Sequence, residues 1–242
     1  AAPLMALQSE QFVDLTPPCI NCFDHLDALR NQVVLAADRV EILNKQGDTW
    51  ADDEIRFHLL CLQQKVATSP APLKPGVAVP LMIDPLLCAS WMRNQGSMCV
   101  QWCLSHPEVA AAGVQVIACF RVGTHWIPVW FVPMKDHVHI TTWDAKANSH
   151  ADLEPLLERM GYAFGFRSVM INRQQRIFFN SCLCGSLAIA FLHHALFDSM
   201  LPTNHDEAAF LQARLKRQFF DHVQSQQATV RPWVWGRSEE HT

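Results

Sequence analysis

The stretch Val114-Gln-Val-Ile-Ala-Cys-Phe-Arg-Val122, Gly123-Thr124, His125-Trp-Ile-Pro-Val-Trp-Phe-Val132, Pro133-Met-Lys-Asp136, His137-Val-His-Ile-Thr-Thr-Trp143-Asp144 decides the fold. Three runs rich in β-branched and aromatic residues are separated by a Gly turn and a Pro-to-Asp turn. That pattern predicts an antiparallel meander. Pro128 has no backbone donor, so the second strand is expected at an edge or a bulge. On both sides of the meander the apolar period becomes helical.

Upstream, Ile55, Leu59, Leu62 and Val66 fit an amphipathic helix with Asp52 or Asp53 near its N-terminus. Downstream, Asn148-Ser149 can cap a helix through Leu153, Leu156, Leu157 and Met160 that stops at Gly161. A strand is expected over Arg167 to Asn172. The stretch Gly185 to Phe197 reads as a helix apolar almost all round, and such a helix must be buried. Asn204 can cap a last helix with Ala208, Leu211, Leu215 and Phe219 on one face. This order of elements predicts an α+β fold.

The 242 residues suffice for one domain with an extension. Residues 1–48 carry no chemical motif and are expected to pack on the edge of a domain spanning 49–235. A chain that opens on Ala1 is expected to be processed or a fragment of something longer. A net charge of −4 and a pI near 6.3 give no electrostatic footprint for nucleic acid. No apolar run reaches the roughly 18 residues of a membrane span. The nine cysteines are odd in number, and several lie within apolar patterns. They are expected to be buried free thiols in a reducing intracellular compartment, cytoplasm or nucleus. Cys19-Ile-Asn-Cys22 is a single CxxC, and with only two of the four ligands zinc needs it implies no metal. His193 and His194 point to different helix faces.

The chemistry-bearing residues are His125, Asp144 and Cys184, in that order. A thiol is a good nucleophile as thiolate, so it needs a base and a field that stabilises negative charge. An imidazole supplies the base, and a carboxylate sets its tautomer and orientation. Cys184 would stand at a helix N-terminus, where free N–H groups lower a thiol pKa. Gly185 allows close backbone approach to a substrate carbonyl. Cys182 is the rival thiol, His137 and His139 are rival bases, and Asp136 is a weaker orienter.

The order of these motifs resembles the ubiquitin-like-protein proteases, the SUMO-specific or adenain-like cysteine proteases. His125-Trp126, the Asp closing His139-Ile-Thr-Thr-Trp-Asp144, and Asn180-Ser-Cys-Leu-Cys184-Gly185 fall as they do there. Trp50-Ala-Asp-Asp53-Glu-Ile55 is similar to that family's Trp-x-x-Asp-x-x-Ile element, with Ile55 one residue early. The resemblance covers about Trp50 to Phe197. It implies a papain-like α+β fold with a central antiparallel or mixed sheet and a buried helix carrying the nucleophile. It also implies a thiol protease or isopeptidase without cofactor, acting on a ubiquitin-like modifier, its precursor or a polyprotein. Trp50 and Trp126 would flank a narrow channel for a Gly-Gly tail. The family's oxyanion Gln lies six residues before the Cys, where this chain has Phe178; Gln174 and Gln175 are nearby, and Gln175 or Asn180 could supply an amide. Leu183 stands where the family has Asp. These departures leave a binding module on the same fold as an alternative, and the His-acid-Cys order, which also serves acetyl transfer in related enzymes, leaves an acyltransferase.

Overall fold

The computed structural model describes residues 50, 52–68, 80–85, 87–88, 96–144, 153–175 and 183–239. The expected extension over 1–48, the Cys19/Cys22 pair, Asn148-Ser149, Phe178, Asn180 and Cys182 lie outside the described residues. The elements in chain order are α1 (Asp52–Thr68), β1 (Leu81–Met82), α2 (Ser97–Leu104), α3 (Glu108–Ala111), β2 (Val116–Val122) and β3 (His125–Pro133). There follow β4 (His137–Asp144), α4 (Leu153–Ala163), β5 (Ser168–Gln175), α5 (Cys184–Phe197) and α6 (His205–Glu239). The fold is α+β, as expected, around one mixed five-stranded sheet of order β1-β2-β3-β4-β5.

The meander forms the centre of that sheet. β2 and β3 pair antiparallel from Val116↔Phe131 to Val122↔His125, leaving Gly123-Thr124 as a two-residue turn. Gly123 has φ of 64°, the positive value that matches a tight turn to the strand twist. β3 and β4 pair antiparallel, and β4 and β5 parallel. β5 runs three residues beyond the expected Asn172, to Gln175.

Two expectations are corrected. β3 is an interior strand, between β2 and β4, so Pro128 is not at an edge. The β3–β4 ladder runs from Pro133↔Val138 to Val129↔Thr142 and ends just before Pro128, where the strand has no N–H to donate. Helix α1 is not amphipathic along its middle, because every residue from Glu54 to Leu60 is buried. Its charged groups tolerate this by pairing: Arg56 donates to Asp84 at 2.8 Å, and Lys216 reaches Glu54 at 3.0 Å.

Helices cover both faces of the sheet. On one, Trp143 of β4 stacks on Phe191 of α5 with ring centroids 5.7 Å apart. On the other, Gly161 of α4 lies against Val138 and Val169, and Phe164 meets Phe131 edge-on at 5.7 Å. Helix α2 packs beside α4, with Trp102 against Phe164. α1 and α6 close over α5; Phe57 and Phe219 meet at 5.5 Å, and the His58 ring bonds the Leu215 carbonyl at 3.0 Å. Each Leu or Phe fully buried in these layers contributes about 1.5–3 kcal/mol. The expected cap of the last helix forms: the Glu207 N–H donates to Asn204 Oδ1 at 2.9 Å, and the Glu207 carboxylate accepts from the Thr203 N–H.

The contact of α4 with the sheet is testable at Gly161. A Cβ there would stand 2.5 Å from Val169 Cγ2 and 3.2 Å from Val138 Cγ1. Both neighbours are β-branched residues on paired strands and cannot swing aside. Gly161→Ala is expected to cost about 1–3 kcal/mol in overpacking, outweighing the roughly 1 kcal/mol that Ala gains over Gly in a helix. A lower thermal midpoint checks it; an unchanged or raised midpoint contradicts the packing described.

Candidate active site

Strand register brings the first two groups together. Val129 pairs with Thr142, so odd-numbered residues of β3 share a face with even-numbered residues of β4. Continued past the ladder's end, that register sets His125 diagonally across from Asp144. Diagonal neighbours on one face are within reach of long side chains. His125 Nε2 lies 2.6 Å from Asp144 Oδ1, and both residues are buried.

The third group arrives on α5. Cys184 is the first residue of that helix, with Leu183 at the N-cap. Leu183 is apolar and buried and offers no side-chain cap, so the first-turn N–H groups remain turned toward the sulfur's end of the helix. Cys184 Sγ lies 3.9 Å from the carbonyl of Thr124, the residue before His125. With Nε2 held by the carboxylate, Nδ1 is the imidazole nitrogen left to face the thiol.

The electrostatics follow. Burial opposes protonation of His125, but its hydrogen bond to Asp144 and its contact with Cys184 outweigh that and raise its pKa. Burial is the largest cause acting on most other thiols: it pushes Cys61 up to about 12 and, with neighbouring thiols adding to it, raises Cys88, Cys103 and Cys119 as well. Those groups stay protonated and unreactive. All six described cysteines are free.

Trp50 lies on the first turn of α5. A Cβ on Gly185 would stand 2.2 Å from the indole Cγ of Trp50, so only glycine lets the ring rest there. The indole N–H donates to Gln212 Oε1 at 3.0 Å, and Trp126 Nε1 donates to the Trp50 carbonyl at 3.3 Å. Lys216 Nζ sits 5.1 Å from the Trp50 ring centroid. Trp50 and Trp126 are both buried, the latter almost completely at 1% exposed.

Gln212 was not legible as a site residue. It is buried on α6 and accepts from Trp50 and, at 3.3 Å, from Ser186 of the first turn of α5. A signal exists in hindsight: Ala208, Gln212, Leu215 and Phe219 share one helical stripe, and a polar residue in a buried stripe must find partners.

The rival groups fall elsewhere. His137 and His139 open β4, whereas Asp144 closes it, and Asp136 lies exposed in the turn before. Gln175 is the register partner of Asp144 on β5, so its backbone is at the right end of the sheet; its side chain, like Asn180, lies outside the described residues. His193 and His194 both reach Ser199, the first through Ser199 Oγ and also Lys65 Nζ, the second through the Ser199 carbonyl. Among the described residues no group of three His, Cys, Asp or Glu could hold a metal ion, and no helix is long and apolar enough to cross a membrane.

No protein-family model matches the chain, and no curated protein does. Among solved structures it is similar to the Xanthomonas campestris effector protein XopD bound to ubiquitin, at 13% identity and a TM-score of 0.46, covering 70% of this chain and 90% of that one. It is similar to the SUMO protease Ulp1 with its catalytic cysteine oxidised to a sulfenic acid, at 10% identity and a TM-score of 0.48, covering 75% and 78%. The C-terminal Ulp1 protease domain in complex with Smt3, the yeast orthologue of SUMO, overlaps at 15% identity and a TM-score of 0.42, covering 74% and 78%.

Two outcomes test the geometry of this centre. Gly185→Ala is expected to push the Trp50 indole off the helix and break its bond to Gln212, costing about 1–3 kcal/mol and changing the near-ultraviolet circular dichroism. An unchanged aromatic spectrum would contradict the contact. The second concerns His125, whose folded pKa is raised above the ordinary 6.5. Its contribution to stability is therefore complete below about pH 6.5 and is lost as pH rises through the folded value. Asp144→Asn removes a raising partner, so an NMR titration of the His125 ring should move to lower pH; no movement would mean the carboxylate does not act on the ring.

Proposed function

We propose that this chain is a thiol hydrolase in which Cys184 is the nucleophile, His125 the proton carrier and Asp144 the group that orients His125. One observation carries the reading: a buried imidazole bonded at 2.6 Å to a carboxylate lies beside a thiol that begins a buried helix. Each part has a chemical task. The imidazole takes the Cys184 proton as sulfur attacks a carbonyl carbon. The tetrahedral oxyanion faces the Cys184 backbone N–H at the helix start, with an amide from Gln175 or Asn180 as the second donor. As the C–N bond breaks, the imidazolium returns the proton to the departing amine, leaving a thioester. Water, deprotonated by the same imidazole, then releases the acid and the free thiol.

For substrate, the sequence resemblance favours the C-terminal Gly-Gly tail of a ubiquitin-like modifier, its precursor or a polyprotein. The indole of Trp50 occupies the space over Gly185, next to the nucleophile, and Trp126 holds the Trp50 backbone. A channel beside such a ring suits residues without side chains.

A ubiquitin- or SUMO-type probe bearing a C-terminal electrophile tests the proposal directly. Labelling at Cys184, lost in Cys184→Ser and His125→Ala, is the expected result. Tight binding without labelling would sink the hydrolase reading and leave a binding module. On a fluorogenic Gly-Gly substrate, Trp126→Ala is expected to lower kcat/KM by about a hundredfold, because the reacting carbonyl loses its fixed position. Equal cleavage of an Ala-Leu analogue by the unmodified chain would remove the channel and keep the thiol chemistry.

A further inference from the structure

The start of β4 holds a pair of imidazoles that the chemistry above does not use. His137 and His139 alternate onto one face of the strand. Their Nε2 atoms converge to 2.9 Å, with ring centroids 4.9 Å apart. Both residues are half-buried and so reachable from solvent. The parallel register sets Ser168 beside His137 and Met170 beside His139, and Met170 is 51% exposed. Asp144 closes the same eight-residue strand, roughly 24 Å from His137 and roughly 17 Å from His139 along it. This pair is therefore separate from the candidate active site.

We propose that His137 and His139 form a chelating site for a divalent transition ion of tetragonal preference, Cu²⁺ or Ni²⁺. Two nitrogens bound cis at about 2.0 Å and a right angle stand about 2.8 Å apart, which the observed spacing matches. Tetrahedral zinc would hold them about 3.3 Å apart and requires four ligands. Among the described residues no third His, Cys, Asp or Glu joins the pair. Cu²⁺ and Ni²⁺ accept two imidazoles with water in the other positions, and Cu²⁺ stands highest in affinity for nitrogen sites. Met170, the register partner of His139 on the neighbouring strand, carries an exposed thioether. Without metal, the 2.9 Å contact is an N–H···N hydrogen bond, so one ring carries its proton on Nε2. Ligation needs both Nε2 lone pairs, and the donor ring meets this by moving its proton to Nδ1, with no net loss of a proton.

The test uses the full chain. Substoichiometric Cu²⁺ should broaden first the amide NMR signals of residues 137–140 and of Ser168 to Met170. Titration calorimetry with Ni²⁺ should show one strongest site, weakened at least about tenfold in His137→Ala and in His139→Ala. His139→Gln keeps a polar group on the strand face and should lose the site equally, which separates ligation from damage to the sheet. Broadening that begins elsewhere, or variants that bind Ni²⁺ as the unmodified chain does, would reduce the pair to a hydrogen bond and overturn the proposal. Zn²⁺ binding as tight as Ni²⁺ would overturn the tetragonal geometry.

Discussion

Helix α5 presents apolar residues in every direction, and water must be excluded from all of them. This constraint sets the arrangement of the rest. The sheet covers one side of the helix through contacts such as Trp143 on Phe191, and α1 and α6 cover the other. A helix enclosed in this way leaves only its ends near the surface of the layers. Its N-terminus comes to the end of the sheet where β3 begins and β4 stops, with Cys184 Sγ near the Thr124 carbonyl. The chemistry-bearing residues gather there because that is where the buried helix emerges.

The enclosure also explains why charged and polar side chains occur so deep. Glu54, Arg56, His58 and Gln212 are all buried. Leaving any of them unpartnered would cost about 1–3 kcal/mol or more. They are held by Lys216, Asp84, the Leu215 carbonyl and the Trp50 and Ser186 donors respectively. The Glu54 and His58 bonds join α1 to α6, the Arg56 bond joins α1 to the segment after β1, and Gln212 joins α6 to the first turn of α5. The Trp50 ring is thereby fixed over Gly185 by groups from three elements. His125 shows the same balance: burial lowers its pKa, and its carboxylate and thiol neighbours outweigh that and raise it.

The parts legible in the sequence are those with local causes. The meander follows from alternation and turn residues, the Asn204 cap from a side chain three residues before its donor, and the burial of α5 from composition alone. The order His125, Asp144, Cys184 was readable because the turn at Gly123 and the start of α5 put each at an element boundary. Pro128 misled for a definable reason. A missing donor bars pairing on one side only, and the β4 ladder simply ends beside it. Helix α1 misled because period-based reading counts Glu and Arg as solvent-facing, whereas ion pairing lets them be buried.

What the sequence by itself determined is the set of elements, their order and the chemical identity of the groups at their ends, since propensity, turn chemistry and apolar period act over a few residues. Tertiary structure alone decided which strand became interior and which histidine met the carboxylate. It also brought Gln212, 26 residues beyond Ser186, to hold an indole against the first turn of α5. Those outcomes depend on register and on layers closing over one another. They are set by contacts between residues far apart in the chain, where steric fit and the pairing of buried polar groups, rather than local preference, carry the free energy.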